Sequence, residues 1–245
     1  MKITMLGSSG YPRSLTEKSS CIFLPEYSII LDAGSGLVAL PQQQSYKNTE
    51  KFYLLLTHFH VDHLIGLFYV LPVIIPDGKK LVVMGDERLP ELGRLFKEPF
   101  FSSMEGSRTP VQAELLRKRF TLNNAEINVA RFSHDTAWTN GFRMTDGQKT
   151  LVYITDTTAN SALAKFAEGA DLLIHECNYP NRLAEKARAE GHSYSDVISD
   201  FATKAKVKQL IISHTEHRYR DEIIQEVRQK FVHADLANDE LELNI

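Results

Sequence analysis

Four apolar runs in this chain end in a histidine or an aspartate: "FYLLLTHFHVDH", "EINVARFSH", "LVYITD" and "KQLIISH". Each has the length and the β-branched or aromatic content of a buried strand. Strands buried on both faces demand layers packed against each other, and a charged or imidazole side chain at each strand end is not something packing requires. Around these runs the first third reads as strands: "KITML", then "SCIFL" and "SIILDAG" joined by the turn-like "PEY", then "FYLLLTH". "LIGLFYVLPVII" reads as a buried helix that should stop near Pro72, where proline removes a donor and clashes with the preceding turn. "KLVVMG" reads as a strand and "DERLPELGRLF" as a helix, while "KEPFFSSMEGSRTP" is rich in loop residues.

From "AEINVARFSH" onward strands return: "GFRMTD", then "QKTLVYITD" across a "DG" turn. The last third alternates: helix "NSALAKFAEGA", strand "DLLIHE", helices "NRLAEKARAEG" and "SYSDVISDFATKAK", strand "KQLIISH", helix "YRDEIIQEVRQKF". Two packed sheets with helices on their outer faces would bury this pattern. The chain has 245 residues, 43% of them hydrophobic, and shows no linker or short-period repeat, so one domain over 1–245 is expected.

Composition narrows the function classes. A net charge of −3 gives no global basic field for nucleic acid or anionic membrane. Cys21 and Cys177 are far apart and match no zinc pattern or disulfide framework. "MKITMLGSSGYP" is too short and too soon broken for a signal peptide, and no apolar run nears about 18 residues. A reduced, cytoplasmic protein with no membrane association is the expectation. A homodimer is compatible with the sequence.

"THFHVDH" at 57–63 is the densest signal. His58 and His60 are two apart, so in an extended segment both imidazoles point the same way and reach one ion. Asp62 and His63 fall where the chain turns into the next helix, and this pair can serve a second ion. Imidazole and carboxylate suit Zn²⁺ or a neighbouring divalent metal such as Mn or Fe. A solvated loop is the bland alternative, but H-x-H-x-D-H arises by chance in on the order of one such chain in a thousand. Two ions need more ligands, and His134, Asp156 and His214 each come at the end of an apolar run. A carboxylate shared between the ions would hold them about 3.5–4 Å apart.

Together "THFHVDH", His134, Asp156 and His214 resemble the metallo-β-lactamase superfamily of binuclear hydrolases. "MKITMLGSSG" and "ILDAGSG" look like its first strands and Asp-Gly turn, with Asp32 beside the metals. The resemblance covers nearly the whole chain. It implies an α/β four-layer fold, an αβ/βα sandwich of two mixed β-sheets flanked by helices. It also implies a ligand split: His58, His60 and His134 on one ion, Asp62, His63 and His214 on the other, Asp156 on both. "HECNY" and "GHSYSD" resemble segments of the ribonuclease Z-like phosphodiesterases. "AKVKQLIISH" resembles that branch's approach to its last ligand histidine, and "HRY" its aromatic-containing ending. By that likeness His192 is catalytic and paired with Glu176. The alternative for His192 is a helix-start residue beside Ser193, a plausible N-cap.

The chemistry is dictated by charge. A phosphodiester repels hydroxide, and two cations neutralise its oxygens and lower the pKa of bound water toward about 7. Two such ions would activate water for attack on phosphorus, with Asp62 orienting that water or taking its proton. His192 would stabilise the charged state or protonate the leaving oxygen, with Glu176 fixing its tautomer. Family members that process transfer RNA carry a long arm between the third histidine and the bridging aspartate. Here only a hairpin separates His134 from Asp156, so a small substrate such as a cyclic nucleotide or phosphoribosyl cyclic phosphate competes with an RNA 3′ end. "RKR" at 117–119 reads as a solvated helix face rather than an RNA contact. The remaining alternatives are a glyoxalase II-like thioesterase, whose helical domain the short tail leaves no room for, a persulfide dioxygenase, and a metal-stabilised scaffold.

Overall fold

The computed structural model describes every residue except 13, 15, 75–76, 97–110, 135–136 and 161–162. The loop expected at 97–110 lies outside the described residues. The first half contains β1 (Lys2–Gly7), β2 (Cys21–Leu24), β3 (Ile29–Leu31), β4 (Lys51–Leu55), α1 (Ile65–Ile74), β5 (Lys80–Gly85), α2 (Leu89–Leu95) and β6 (Val111–Leu115). The second contains β7 (Arg119–Leu122), β8 (Ala125–His134), β9 (Ala137–Thr145), β10 (Thr150–Ile154), β11 (Leu172–Glu176), α3 (Ala184–Ala189), α4 (Ser195–Ala205), β12 (Gln209–Ser213), α5 (Arg220–Lys230), β13 (Ala234–Leu236) and β14 (Glu242–Asn244).

These strands form two mixed sheets, ordered β14-β1-β2-β3-β4-β5-β6 and β13-β12-β11-β10-β9-β8-β7. In each, antiparallel pairs give way to parallel ones, at β3–β4 and at β10–β11. Strand alternation sorts the apolar runs into three layers of core. Ile22 and Leu24, Tyr53 and Leu55, Val82 and Met84 face the other sheet, where they meet Leu151, Tyr153, Leu172, Ile174 and Ile211. Phe23, Phe52, Leu54, Leu81 and Val83 face the helical side with Leu67, Val70 and Leu71 of α1. Val152, Ile154, Leu173, Leu210 and Ile212 pack beneath Ile198, Phe201 and Ala202 of α4 and Ile223 and Val227 of α5. Both faces of each central strand are covered, which is why these strands read as unbroken apolar runs.

The expected strands before and after "PEY" are β2 and β3, joined there by one 3₁₀ turn. α1 ends at Ile74, two residues beyond Pro72. Some expectations are corrected. "NSALAKFAEGA" forms a 3₁₀ turn at Leu163–Ala167 instead of an α-helix, closed by Gly169 at φ +67°. "RKR" is not a helix face: residues 117 and 118 are exposed in the link between β6 and β7, and Arg119 begins β7. The sequence pattern also failed to reveal β6, β7, β13 and β14. No described helix is long and apolar enough to cross a membrane.

Candidate metal centre

The ends of β4, β8, β10 and β12 bring all seven expected ligand residues to one rim of the sandwich. The chain leaves β4 through Thr57, His58 and His60, makes a 3₁₀ turn at Val61–His63, and enters α1. His134 closes β8, Asp156 lies just beyond β10 and His214 just beyond β12. Asp32, Asp156 and His214 have φ of +59°, +51° and +51°, the left-handed region that a side chain other than glycine occupies only when its surroundings hold it there.

Two groups of donor atoms result. His58, His60 and His134 form one and Asp62, His63 and His214 the other, and Asp156 lies with His58 and His63. His134 Nε2 is 3.3 Å from His60 Nδ1, about the edge of a tetrahedron built on 2.0–2.1 Å zinc–nitrogen bonds. His63 Nε2 stands 3.4 Å from Asp62 Oδ2 and 3.1 Å from Asp156 Oδ2. His214 Nε2 stands 3.1 Å from Asp62 Oδ2 and 3.4 Å from Asp156 Oδ1.

Hydrogen bonds behind the rim set which ring nitrogen each histidine presents. Asp32 Oδ2 accepts from Tyr153 Oη and lies 2.8 Å from His63 Nδ1. A carboxylate only accepts, so Nδ1 carries a proton, and in the neutral imidazole that binds a cation the lone pair falls on His63 Nε2. Thr57 Oγ1 donates to Asp32 at 2.9 Å and lies 3.0 Å from His58 Nδ1. Its single proton is committed to Asp32, so it accepts from His58 Nδ1–H and frees His58 Nε2. Among the described residues, His58 Nε2, His63 Nε2 and Asp62 Oδ1 are buried without a hydrogen-bond partner. Buried polar atoms are normally satisfied. Converging unpaired nitrogen and oxygen donors are what a pair of divalent ions requires, so these residues fit the group.

The charges are interdependent. Burial opposes ionisation of Asp62 and Asp156, but His63 and His214 outweigh it and hold both below the usual carboxylate range. Burial lowers His58, and His63 lowers it further. Burial also disfavours charge on His63, yet Asp32, Asp156 and Asp62 together push it up.

His192 and Glu176 meet as the sequence suggested, with His192 Nδ1 3.1 Å from Glu176 Oε1. Glu176 is fully buried and its carboxylate also accepts from the N–H groups of Thr157, Ser193 and Asn178. Burial would lower the His192 pKa, but the charge and hydrogen bond of Glu176 raise it to about 9. Ser193 is not an N-cap. Its hydroxyl donates to the Thr157 carbonyl, and the residue before α4 is Tyr194. His192 lines a cavity of about 500 Å³ with Asp62, Asp156, His214, Tyr11 and Tyr179. Thr57 and Tyr153 were not singled out by the sequence pattern. Thr57 abuts the motif and could have been found there, whereas Tyr153 looks like any core aromatic.

Comparison with known proteins agrees with this architecture. Residues 27–215 match the family described as the beta-lactamase superfamily domain. Ribonuclease Z of Crocosphaera subtropica is 26% identical over 300 residues, covering 98% of this chain and 96% of its own. That aligned length exceeds the 245 residues here, so the relative has segments with no counterpart in this chain. Among solved structures, the metallo-beta-lactamase fold protein YhfI from Bacillus subtilis superposes with a TM-score of 0.83 at 22% identity, covering 99% of each chain. Human tRNase Z, short form, gives 0.79 at 20% identity, covering 100% of this chain and 99% of its own. The shared fold is the αβ/βα sandwich expected from the resemblance.

Proposed function

The chain belongs to the beta-lactamase superfamily, and from that premise we propose that it is a binuclear metal-dependent phosphodiesterase of the ribonuclease Z-like kind, acting on small phosphodiesters. The observation that carries the reading is the convergence of unpaired buried donors from His58, His63 and Asp62 beside the His192–Glu176 pair. Zinc suits the all-imidazole-and-carboxylate donor set, with Mn and Fe accepting the same donors. The buried free thiols Cys21 and Cys177 accord with a reducing, cytoplasmic setting.

Two divalent ions held by His58, His60 and His134 and by Asp62, His63 and His214, with Asp156 common to both, would supply Lewis acidity and activate water. The chain's own groups do the rest. Asp62 Oδ2 faces His214 and His63, and the Asp62 carboxylate would orient the attacking water or take its proton. Glu176 engages His192 Nδ1, so Nε2 is the nitrogen available to donate. A protonated His192 neutralises charge growing on phosphorus and delivers a proton to the departing oxygen. Glu176 keeps the imidazole charged and fixed in orientation.

The interval between His134 and Asp156 sets the substrate size. Its described residues are β9, a turn at 146–149, and β10, paired from Thr145–Thr150 to Phe142–Tyr153, followed by Thr155, which leaves no room for an arm. The test is a panel of bis(p-nitrophenyl) phosphate, cyclic nucleotides, phosphoribosyl cyclic phosphate, a thioester and a 3′-extended tRNA precursor. Small diesters should be turned over at least as well as the precursor. Position-specific cleavage of the precursor without small-diester activity overturns the substrate class, and thioester turnover without diester turnover overturns the reaction class.

A further inference from the structure

The nine residues after β13 cross from one sheet to the other. β13 lies at the edge of the second sheet, and β14 pairs with β1 at the edge of the first. On the way Asp239 reaches the loop that leaves β1. Its Oδ1 accepts from Ser8 N–H at 2.9 Å and Ser8 Oγ–H at 2.8 Å, and its Oδ2 accepts from Lys18 N–H at 3.0 Å. One carboxylate therefore closes the 8–18 loop at its base. The loop's own ties reinforce that closure, because the Lys18 carbonyl accepts from the N–H groups of Ser8 and Ser9.

The other side of Ser8 faces His214. The Ser8 carbonyl accepts the His214 N–H at 2.8 Å, and Ser9 bridges to Thr215. Gly10 lies against the imidazole so closely that a Cβ there would be 2.8 Å from His214 Cε1. His214 itself sits in the left-handed region at φ +51°. A backbone held there persists only where its surroundings over-determine it. Two clamps anchored on the tail do so. Arg220 donates to Thr215 Oγ1 on one side and to the Ala237 carbonyl and Asn238 Oδ1 on the other. Asp239 acts from the opposite side through Ser8.

We propose that Asp239 is a positioning residue for the second metal site, holding His214 in ligating geometry through the Ser8 carbonyl. The proposal rests on the two-ion reading of the site. Asp239 touches neither a ligand side chain nor the cavity, and its effect reaches one ligand of one ion. Loss of its carboxylate frees the loop, lets His214 relax from its left-handed backbone, and weakens the ion shared by Asp62, His63 and His214. The ion of His58, His60 and His134 keeps its own supports, Thr57 and the Gly191 carbonyl.

The experiment is stepwise zinc titration of the full chain with a competing chelator, on wild type, Asp239→Ala, Asp239→Asn and Ser8→Ala, with thermal unfolding measured in the metal-free state. Asp239→Ala should weaken the second zinc by about 10-fold, the low end of what losing a ligand's supporting partner costs, and leave the first unchanged. Asp239→Asn, which retains an acceptor for Ser8 but turns an amide toward Lys18 N–H, should fall between. Ser8→Ala keeps its carbonyl and should bind both ions nearly as wild type does. Parallel weakening of both ions in step with lost thermal stability, or a full complement of tight zinc in Asp239→Ala, overturns the proposal. Wild type binding fewer than two ions defeats the two-ion reading itself and is visible before any variant is made.

Discussion

Thr57→Val is a nearly isosteric change that removes one hydroxyl. That hydroxyl stands between Asp32 and His58, donating to the first at 2.9 Å and accepting from the second at 3.0 Å. Asp32 survives the loss, because Thr57 N–H, Tyr153 Oη and His63 Nδ1 still donate to it. His58 does not, since it is 1% exposed and water cannot replace the acceptor. An unsatisfied buried donor costs about 1–3 kcal/mol. The imidazole can escape that cost only by moving its proton to Nε2, the atom that must stay unprotonated to bind a cation. Either route weakens the ion held by His58, His60 and His134. The expected loss is about 10–100-fold in affinity, the range for outer partners of metal-bound histidines. Competition between the protein and a zinc chelator reads it directly. Thr57→Ser, which restores the hydroxyl, should recover most of the affinity. Unchanged zinc affinity in a folded Thr57→Val protein would refute the tautomer argument.

Individual contacts carry further expectations. Gly66→Ala in α1 would place a Cβ 2.1 Å from the Gly34 carbonyl oxygen, so the helix must lift from the Asp-Gly turn, and urea unfolding should show a loss of about 1–3 kcal/mol or more. Burial works against ionised Asp86, but hydrogen bonds from Arg88 and Asn140 hold its pKa below the ordinary value. Its contribution is complete above the unfolded value of about 3.9 and is lost as pH falls through the depressed folded one. Asp86→Asn should therefore flatten the acid limb of stability against pH in denaturant titrations. His192→Ala should retain both ions while kcat and kcat/KM fall together by about 10²–10⁴-fold. The loss should be smaller for a p-nitrophenolate leaving group than for an alkoxide, and Glu176→Gln should be milder. Near wild-type rates for His192→Ala on an alkoxide-leaving diester would remove it from catalysis.

The legible parts of this chain are those where local chemistry departs from what a core needs. Histidines and aspartates at the ends of buried runs stand out because burial of a polar group must be justified, and every ligand candidate read that way lies at one rim. Burial on both faces made the central strands visible as continuous apolar runs. What escaped depends on partners distant in sequence. β14 is three residues, Glu242–Asn244, and is a strand only because β1 lies beside it. β6 has no buried residue and among the described residues pairs only with β5. Residues 163–167 have helical composition, yet they form a 3₁₀ turn whose Ala164 and Ala167 pack into the core with Ile198, Phe201 and Ala202 of α4. Asp239 carries no local signal, because its three donors lie more than 220 positions away.

The most direct test counts metal and turnover in the same preparation. Protein reconstituted with excess zinc or manganese and freed of loose ions should hold two ions per chain by elemental analysis. It should hydrolyse bis(p-nitrophenyl) phosphate, lose that activity on chelation and regain it on metal return. Asp156→Ala should lose ions from both positions, whereas His58→Ala should lose mainly one. One ion or none in the reconstituted wild type, or two ions with no diester hydrolysis, would contradict the assignment.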